Sequence, residues 1–113
     1  QQATLEVYTA QLEKITERMQ ESGAILIFAT TTPVPEGGVQ PHRDPKDVVT
    51  YNAVAVELME KRGIAVNDLY AFALPRLEEW QRPVNVHFTR IGSDALAGKV
   101  AEAIILNGPF RPR

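Results

Sequence analysis

Ser22-Gly23-Ala24-Ile25-Leu26-Ile27-Phe28-Ala29 is the stretch that decides the fold. The Ser-Gly pair stops a helix, and the residues from Ala24 to Ala29 then form an unbroken apolar run without polar alternation. A strand with one wet face would alternate, so the run predicts a strand covered on both faces inside a sheet.

Working outward, Leu5, Tyr8, Leu12, Ile15 and Met19 alternate in steps of three and four, which predicts an amphipathic helix over residues 4 to about 20. After the strand, Pro33, Pro35 and Gly37-Gly38 predict an irregular loop lasting to about residue 45. Asp44 or Asp47 can cap the next helix, whose apolar side carries Val48, Tyr51, Ala55, Leu58 and Met59 and which stops at Arg62-Gly63. Ile64-Ala65-Val66 then predicts a second strand leading into Asn67-Asp68-Leu69-Tyr70, and one helical turn is expected between Pro75 and Trp80. The final helix is capped by Thr89, aims Ile91, Ala95, Leu96, Val100, Ala103 and Ile104 at a core, and ends at Asn107-Gly108-Pro109.

Helix, strand, helix, strand, helix is the order of an α/β layered fold with parallel strands. Two strands alone leave their edges unpaired and offer the helices too little area to cover. The chain therefore reads as the C-terminal portion of one larger domain, spanning residues 1–113. A complete miniature domain, or one completed by a second copy of itself, is the alternative.

With 113 residues there is material for one small domain. The apolar share of 44% and charged share of 23% are those of an ordinary globular protein, and no apolar run approaches the roughly 20 residues of a membrane span, so no membrane partner is expected. A net charge of −2 without a basic cluster gives little reason to bind nucleic acid. The absence of cysteine removes disulfides, thiolate catalysis and cysteine-bound zinc without fixing the compartment. Gln1-Gln2-Ala3 carries neither an initiator methionine nor a basic-then-apolar signal segment, and reads as a chain entered midway.

The chemistry concentrates in Val84-Asn85-Val86-His87-Phe88-Thr89. A histidine just before a helix N-terminus is a proton carrier on a loop that rigid elements hold in place. It has no visible nucleophile to serve, because no Gly-x-Ser-x-Gly or Gly-Asp-Ser turn follows a strand. Taken alone, His87 reads more readily as a partly exposed loop histidine that packs against Phe88 and caps nothing.

Residues 85–93, Asn-Val-His-Phe-Thr-Arg-Ile-Gly-Ser, resemble the last conserved block of the SGNH hydrolases, also called GDSL-type esterases and lipases. The helix before Ser22-Gly23-Ala24, the strand ending in Ala29-Thr30-Thr31-Thr32-Pro33-Val34, the Tyr51-Asn52 helix and Val66-Asn67-Asp68-Leu69-Tyr70 are similar to that family's C-terminal half, in the same order. His-Phe-Thr-x-x-Gly alone is short enough to arise by chance; the collinear series carries the resemblance.

The resemblance implies a three-layer, flavodoxin-like parallel sheet, here an incomplete C-terminal half, and an ester hydrolase working by serine acyl transfer without a cofactor. Its substrate would be a small ester or an acetylated carbohydrate, and a periplasmic or secreted location fits the family. His87 is then the catalytic base. The family's acid stands three or two positions before the histidine, where this chain has Val84 and Asn85. The Asn85 amide either accepts a hydrogen bond from the imidazole and orients it, or forms the turn. The family's nucleophilic serine, oxyanion-hole glycine and Gly-x-Asn-Asp block would precede Gln1, so the partner implied is the upstream half of the same domain. These 113 residues alone are expected to hydrolyse nothing. The rival reading is a noncatalytic binding or interaction module whose apolar strand edge pairs with another chain.

Other residues weigh less. Arg43, on the loop after the first strand with His42 and Asp44, is a weak candidate for contacting a substrate carboxylate or sugar hydroxyl. The spacing of His42, Asp44 and His87 matches no ligand motif, and no metal is expected. Ser93 lies too near His87 to replace a strand-end nucleophile, and Gly92 is expected to permit close packing beneath the loop. Asp68 is assigned a structural role at its strand exit. Trp80 with Leu77 either walls the site or anchors the short helix, the second being the commoner use of a buried indole.

Overall fold

A computed structural model of the chain describes residues 4–35, 44–82 and 87–109. Helix α1 (Leu5–Glu21) starts where the Thr4 hydroxyl accepts from the Val7 amide, and α2 (Pro45–Lys61) starts where Asp44 accepts from the Lys46 amide with Pro45 in the first turn. Both stop at glycines in the left-handed region, Gly23 at φ 78° and Gly63 at φ 69°, a conformation that glycine alone adopts without a steric penalty. Each turn delivers the chain into a strand, β1 (Ile27–Ala29) and β2 (Ala65–Asn67).

The two strands pair in parallel, Ile27 opposite Ala65, Phe28 opposite Val66 and Ala29 opposite Asn67, and α2 is the crossover between them. The result is a mixed α/β architecture dominated by helix, with a two-stranded parallel sheet among the described residues. α1 packs on α2, α2 on β2, and α5 (Arg90–Asn107) across both strands. Ala55 and Met59 of α2, Ile64 at the entry to β2, Ala73 and Val34 are the buried apolar centre.

Side-chain bonds fix how α1 sits on α2. The Gln20 amide donates to the Arg62 carbonyl at 3.1 Å and accepts from the Arg62 guanidinium at 3.1 Å, while Arg62 also pairs with Glu13 at 3.5 Å. Tyr8 and Tyr51 add a tilted ring contact at 4.9 Å between centroids.

Three expectations are corrected. The strand expected over residues 24–29 and covered on both faces is paired only from Ile27, because β2 begins opposite that residue, and Ile25 is 58% exposed. The stretch after β2 is more helical than expected: α3 (Leu69–Ala73), a single 3₁₀ turn at Leu74–Arg76 and α4 (Leu77–Trp80) follow one another. Asp68 causes this, since its carboxylate accepts from the Ala71 amide and caps a new helix. Finally, Ile91, Val100 and Ile104 do not reach a core; Ile91 is 72% exposed, and Ile105 and Leu106, next to Ile104, are also on the surface.

Most of the uncovered apolar residues gather in two places. One is an apolar groove of about 290 Å³ between α1 and β1, lined by Leu12, Ile15, Met19, Ile25, Ile27 and Phe28 among others. The other is α5, whose exposed isoleucines, valine and leucine flank its packed stripe. An apolar helix of this kind ordinarily lies inside a protein.

Candidate functional site

The carboxyl ends of β1 and β2 open onto two loops held by polar side chains. Thr30, the residue after β1, is 4% exposed: its amide donates to the Asn67 carbonyl at 3.1 Å, its hydroxyl donates to the Asp68 carboxylate at 3.0 Å, and that hydroxyl accepts from the Tyr70 amide at 3.0 Å. Asp68 thus ties the two strand exits together while capping α3, the structural duty expected of it. One residue on, Thr31 is gripped by buried Asn52, which accepts from its amide and donates to its carbonyl, both at 2.9 Å. The loop after β1 is therefore anchored to α2 and to the β2 exit.

His87 lies on a further loop, between α4 and α5, exposed and two residues before the cap of α5. Its carbonyl accepts from the Arg82 amide at 2.9 Å, and the next residue, Phe88, forms an isolated antiparallel bridge with Gln81. Thr89 holds the chain where it enters α5. Its amide donates to the Trp80 carbonyl at 2.7 Å, its hydroxyl donates to the same oxygen at 2.9 Å, and that hydroxyl accepts from the Gly92 amide at 3.2 Å as the cap of α5. The backbone from the His87 carbonyl through Thr89 is thereby fixed to the end of α4 and the start of α5, so the chain leaving the histidine is held by a rigid frame.

Gly92 makes that frame possible. A Cβ at Gly92 would overlap the Trp80 carbonyl oxygen and come within 2.6 Å of the Trp80 Cβ, so only glycine lets α5 approach α4 this closely. Trp80 is half-buried against Phe72, with ring centroids 5.3 Å apart, which is the anchoring role. Ser93 is exposed within the first turn of α5, its amide bound to the Thr89 carbonyl, and the chain's other serine, Ser22, ends α1 by donating to the Met19 carbonyl. Neither follows a strand.

Asn85 and Arg43, with Val84 and His42, lie outside the described residues. Sequence reasoning passed over Gln81. It is 4% exposed, and its side-chain amide donates to the Pro33 carbonyl at 2.9 Å, so it joins the loop after β1 to the loop carrying His87. A glutamine between Trp80 and Arg82 carries no sequence signal of burial. Asn52 did carry one, as a polar residue on the buried side of an otherwise apolar helix stripe.

No protein-family model and no curated protein matches this sequence. Among solved structures, the crystal structure of the lipase/acylhydrolase from Enterococcus faecalis is similar, with a TM-score of 0.75 and 24% identity over 92% of this chain and 53% of that one. The chain spans about half the length of that structure, and over that half the two share a fold.

Proposed function

We propose that this chain is the C-terminal half of an SGNH-type hydrolase domain with a three-layer, flavodoxin-like sheet, and that His87 is its catalytic base. The observation that carries the reading is the placement of His87. It stands at the entrance of α5, with its carbonyl and the two residues after it tied to the end of α4. The Gln81–Pro33 bond joins its loop to the chain leaving β1, and ligands of open α/β sheets bind beyond strand carboxyl ends. The shared fold with a lipase/acylhydrolase supports the same reading.

The nucleophile is a serine supplied from outside these residues, since Ser22 and Ser93 close or open helices. In the reaction, His87 removes the serine hydroxyl proton as the oxygen attacks the ester carbonyl. The tetrahedral intermediate collapses, the C–O bond to the alcohol breaks, and His87 returns the proton to that alcohol. Water then attacks the acyl-serine with His87 again taking a proton, and acid and serine are released. The substrate class is a small ester, with an acetylated carbohydrate preferred, and Arg43 is its proposed contact. Asn85 is the proposed orienter of the imidazole.

The open edge of β1, the groove beside it and the apolar flanks of α5 are where the upstream half of the domain packs in this reading. The same edge favours the rival reading, a noncatalytic module that pairs with another chain. Hydrolysis of p-nitrophenyl acetate by the complete gene product separates them. The enzyme reading expects turnover that falls at least about a hundredfold in His87→Ala; equal rates in the two proteins would remove His87 from catalysis.

A further inference from the structure

We infer that Gln81 is a positioning residue for the His87 base, joining the loop after β1 and the histidine loop into one unit. The inference rests on the reading of His87 given above. Two hydrogen bonds and one bridge meet at Gln81. Its amide donates to the Leu77 carbonyl at 2.9 Å and closes α4, its backbone bridges Phe88, and its side chain donates to the Pro33 carbonyl at 2.9 Å. An amide side chain buried to this degree is costly unless bonded, and so is a carbonyl in the irregular loop it reaches. Pro33 is itself buried, and no described strand or helix neighbour offers its carbonyl a backbone donor.

An apolar residue of equal length would fill the same space and leave the Pro33 carbonyl without its Gln81 donor. The geometry then tells what loosens. Gln81 carries the backbone against which Phe88 is bridged, and the neighbouring Arg82 amide holds the His87 carbonyl. Releasing the side chain frees this hinge of the histidine loop, whereas Asn52 and Thr30 keep the first loop anchored to α2 and β2. The base loses its register to the strand exits while the core stays intact.

The test is Gln81→Met in the complete gene product, read by amide hydrogen exchange and by p-nitrophenyl acetate kinetics. Exchange at the Arg82 and Thr89 amides is expected to accelerate about tenfold while Ala55 and Met59 in the core keep their rates. The value of kcat is expected to fall about tenfold with KM unchanged, the signature of a misplaced reacting group. Unchanged exchange at Arg82 and Thr89, equal acceleration at all four amides, or local opening with unaltered kcat would each overturn the positioning role. If His87→Ala leaves hydrolysis unaffected, the base assignment fails instead, and the exchange data still report whether Gln81 joins the loops.

A second variant covers the case in which Gln81→Met does not fold. Gln81→Glu keeps the shape, but its carboxylate only accepts, whereas its protonated form has an O–H to donate. After correction for intrinsic rates, exchange at Arg82 and Thr89 should be fast near about pH 8 and approach wild type near about pH 5, because protonation restores the donor to Pro33. The same protection at both pH values would refute the inference.

Discussion

Gly92→Ala adds one methyl group to a helix, a change that ordinarily stabilises, and here it should do the opposite. In α5 the intrinsic gain of alanine over glycine is about 1 kcal/mol. Against it, the new Cβ stands 2.6 Å from the Trp80 Cβ and 2.9 Å from the Trp80 carbonyl carbon, and overlaps the carbonyl oxygen. Carbon atoms pack at about 3.5 Å or more, so α4 and α5 must part by roughly 1 Å. Every atom struck is backbone or Cβ, so no rotamer change relieves the contact. That separation stretches the bonds from the Thr89 amide (2.7 Å) and hydroxyl (2.9 Å) to the Trp80 carbonyl. Each contributes about 1 kcal/mol, and overpacking itself costs about 1–3 kcal/mol. The net loss expected is about 2–4 kcal/mol, read as a fall of about 1 M or more in the urea midpoint. Gly98→Ala in the same helix is the control, because its Cβ would meet nothing within 4 Å, and it should gain up to about 1 kcal/mol. A Gly92→Ala protein as stable as wild type, or a pair of variants shifted alike, would refute the close-approach argument.

Further outcomes follow from the polar anchors and from the α1–α2 contact. Asn52→Ala removes both bonds to the Thr31 backbone and leaves those groups without that partner, so a loss of about 2–3 kcal/mol is expected in urea unfolding; a change under about 0.5 kcal/mol would deny the clamp. Burial raises the Tyr8 phenol above its ordinary value of 10.0. Its folded pKa exceeds its unfolded one, so the stability linked to it is fully present below about pH 10 and is lost as pH rises through the folded value. Tyr8→Phe should therefore lose less stability than wild type between about pH 9 and 11, and parallel curves would contradict the assignment.

The long helices were open to sequence reading because their signals are local. Leu5 to Met19 and Val48 to Met59 keep helical spacing, and Thr4, Asp44 and Thr89 stand where caps are needed. The order of strands was readable too, since helix-stopping glycines precede both apolar runs. What local pattern could not give was partnership. Ala24-Ile25-Leu26 reads as strand, yet pairing starts only where β2 offers a register, and Ile91, Val100 and Ile104 read as core although no described element covers them. Likewise, Asp68 reads as a strand exit until Ala71 is seen to donate to it, which explains the missed helix α3. At the site, the placement of His87 before the Thr89 cap followed from sequence, whereas the Gln81–Pro33 bond spans 48 positions and left no trace in either neighbourhood.

The central claim, that His87 activates a serine lying outside these residues, is tested most directly by covalent trapping. A fluorophosphonate probe reacts with serines whose hydroxyl proton a base removes, and tryptic mass spectrometry locates the label. In the complete gene product the account predicts a single labelled serine other than Ser22 and Ser93, with labelling slowed at least about a hundredfold in His87→Ala. A protein that takes up no label, takes it up at Ser93, or is labelled equally fast without His87 would contradict the account.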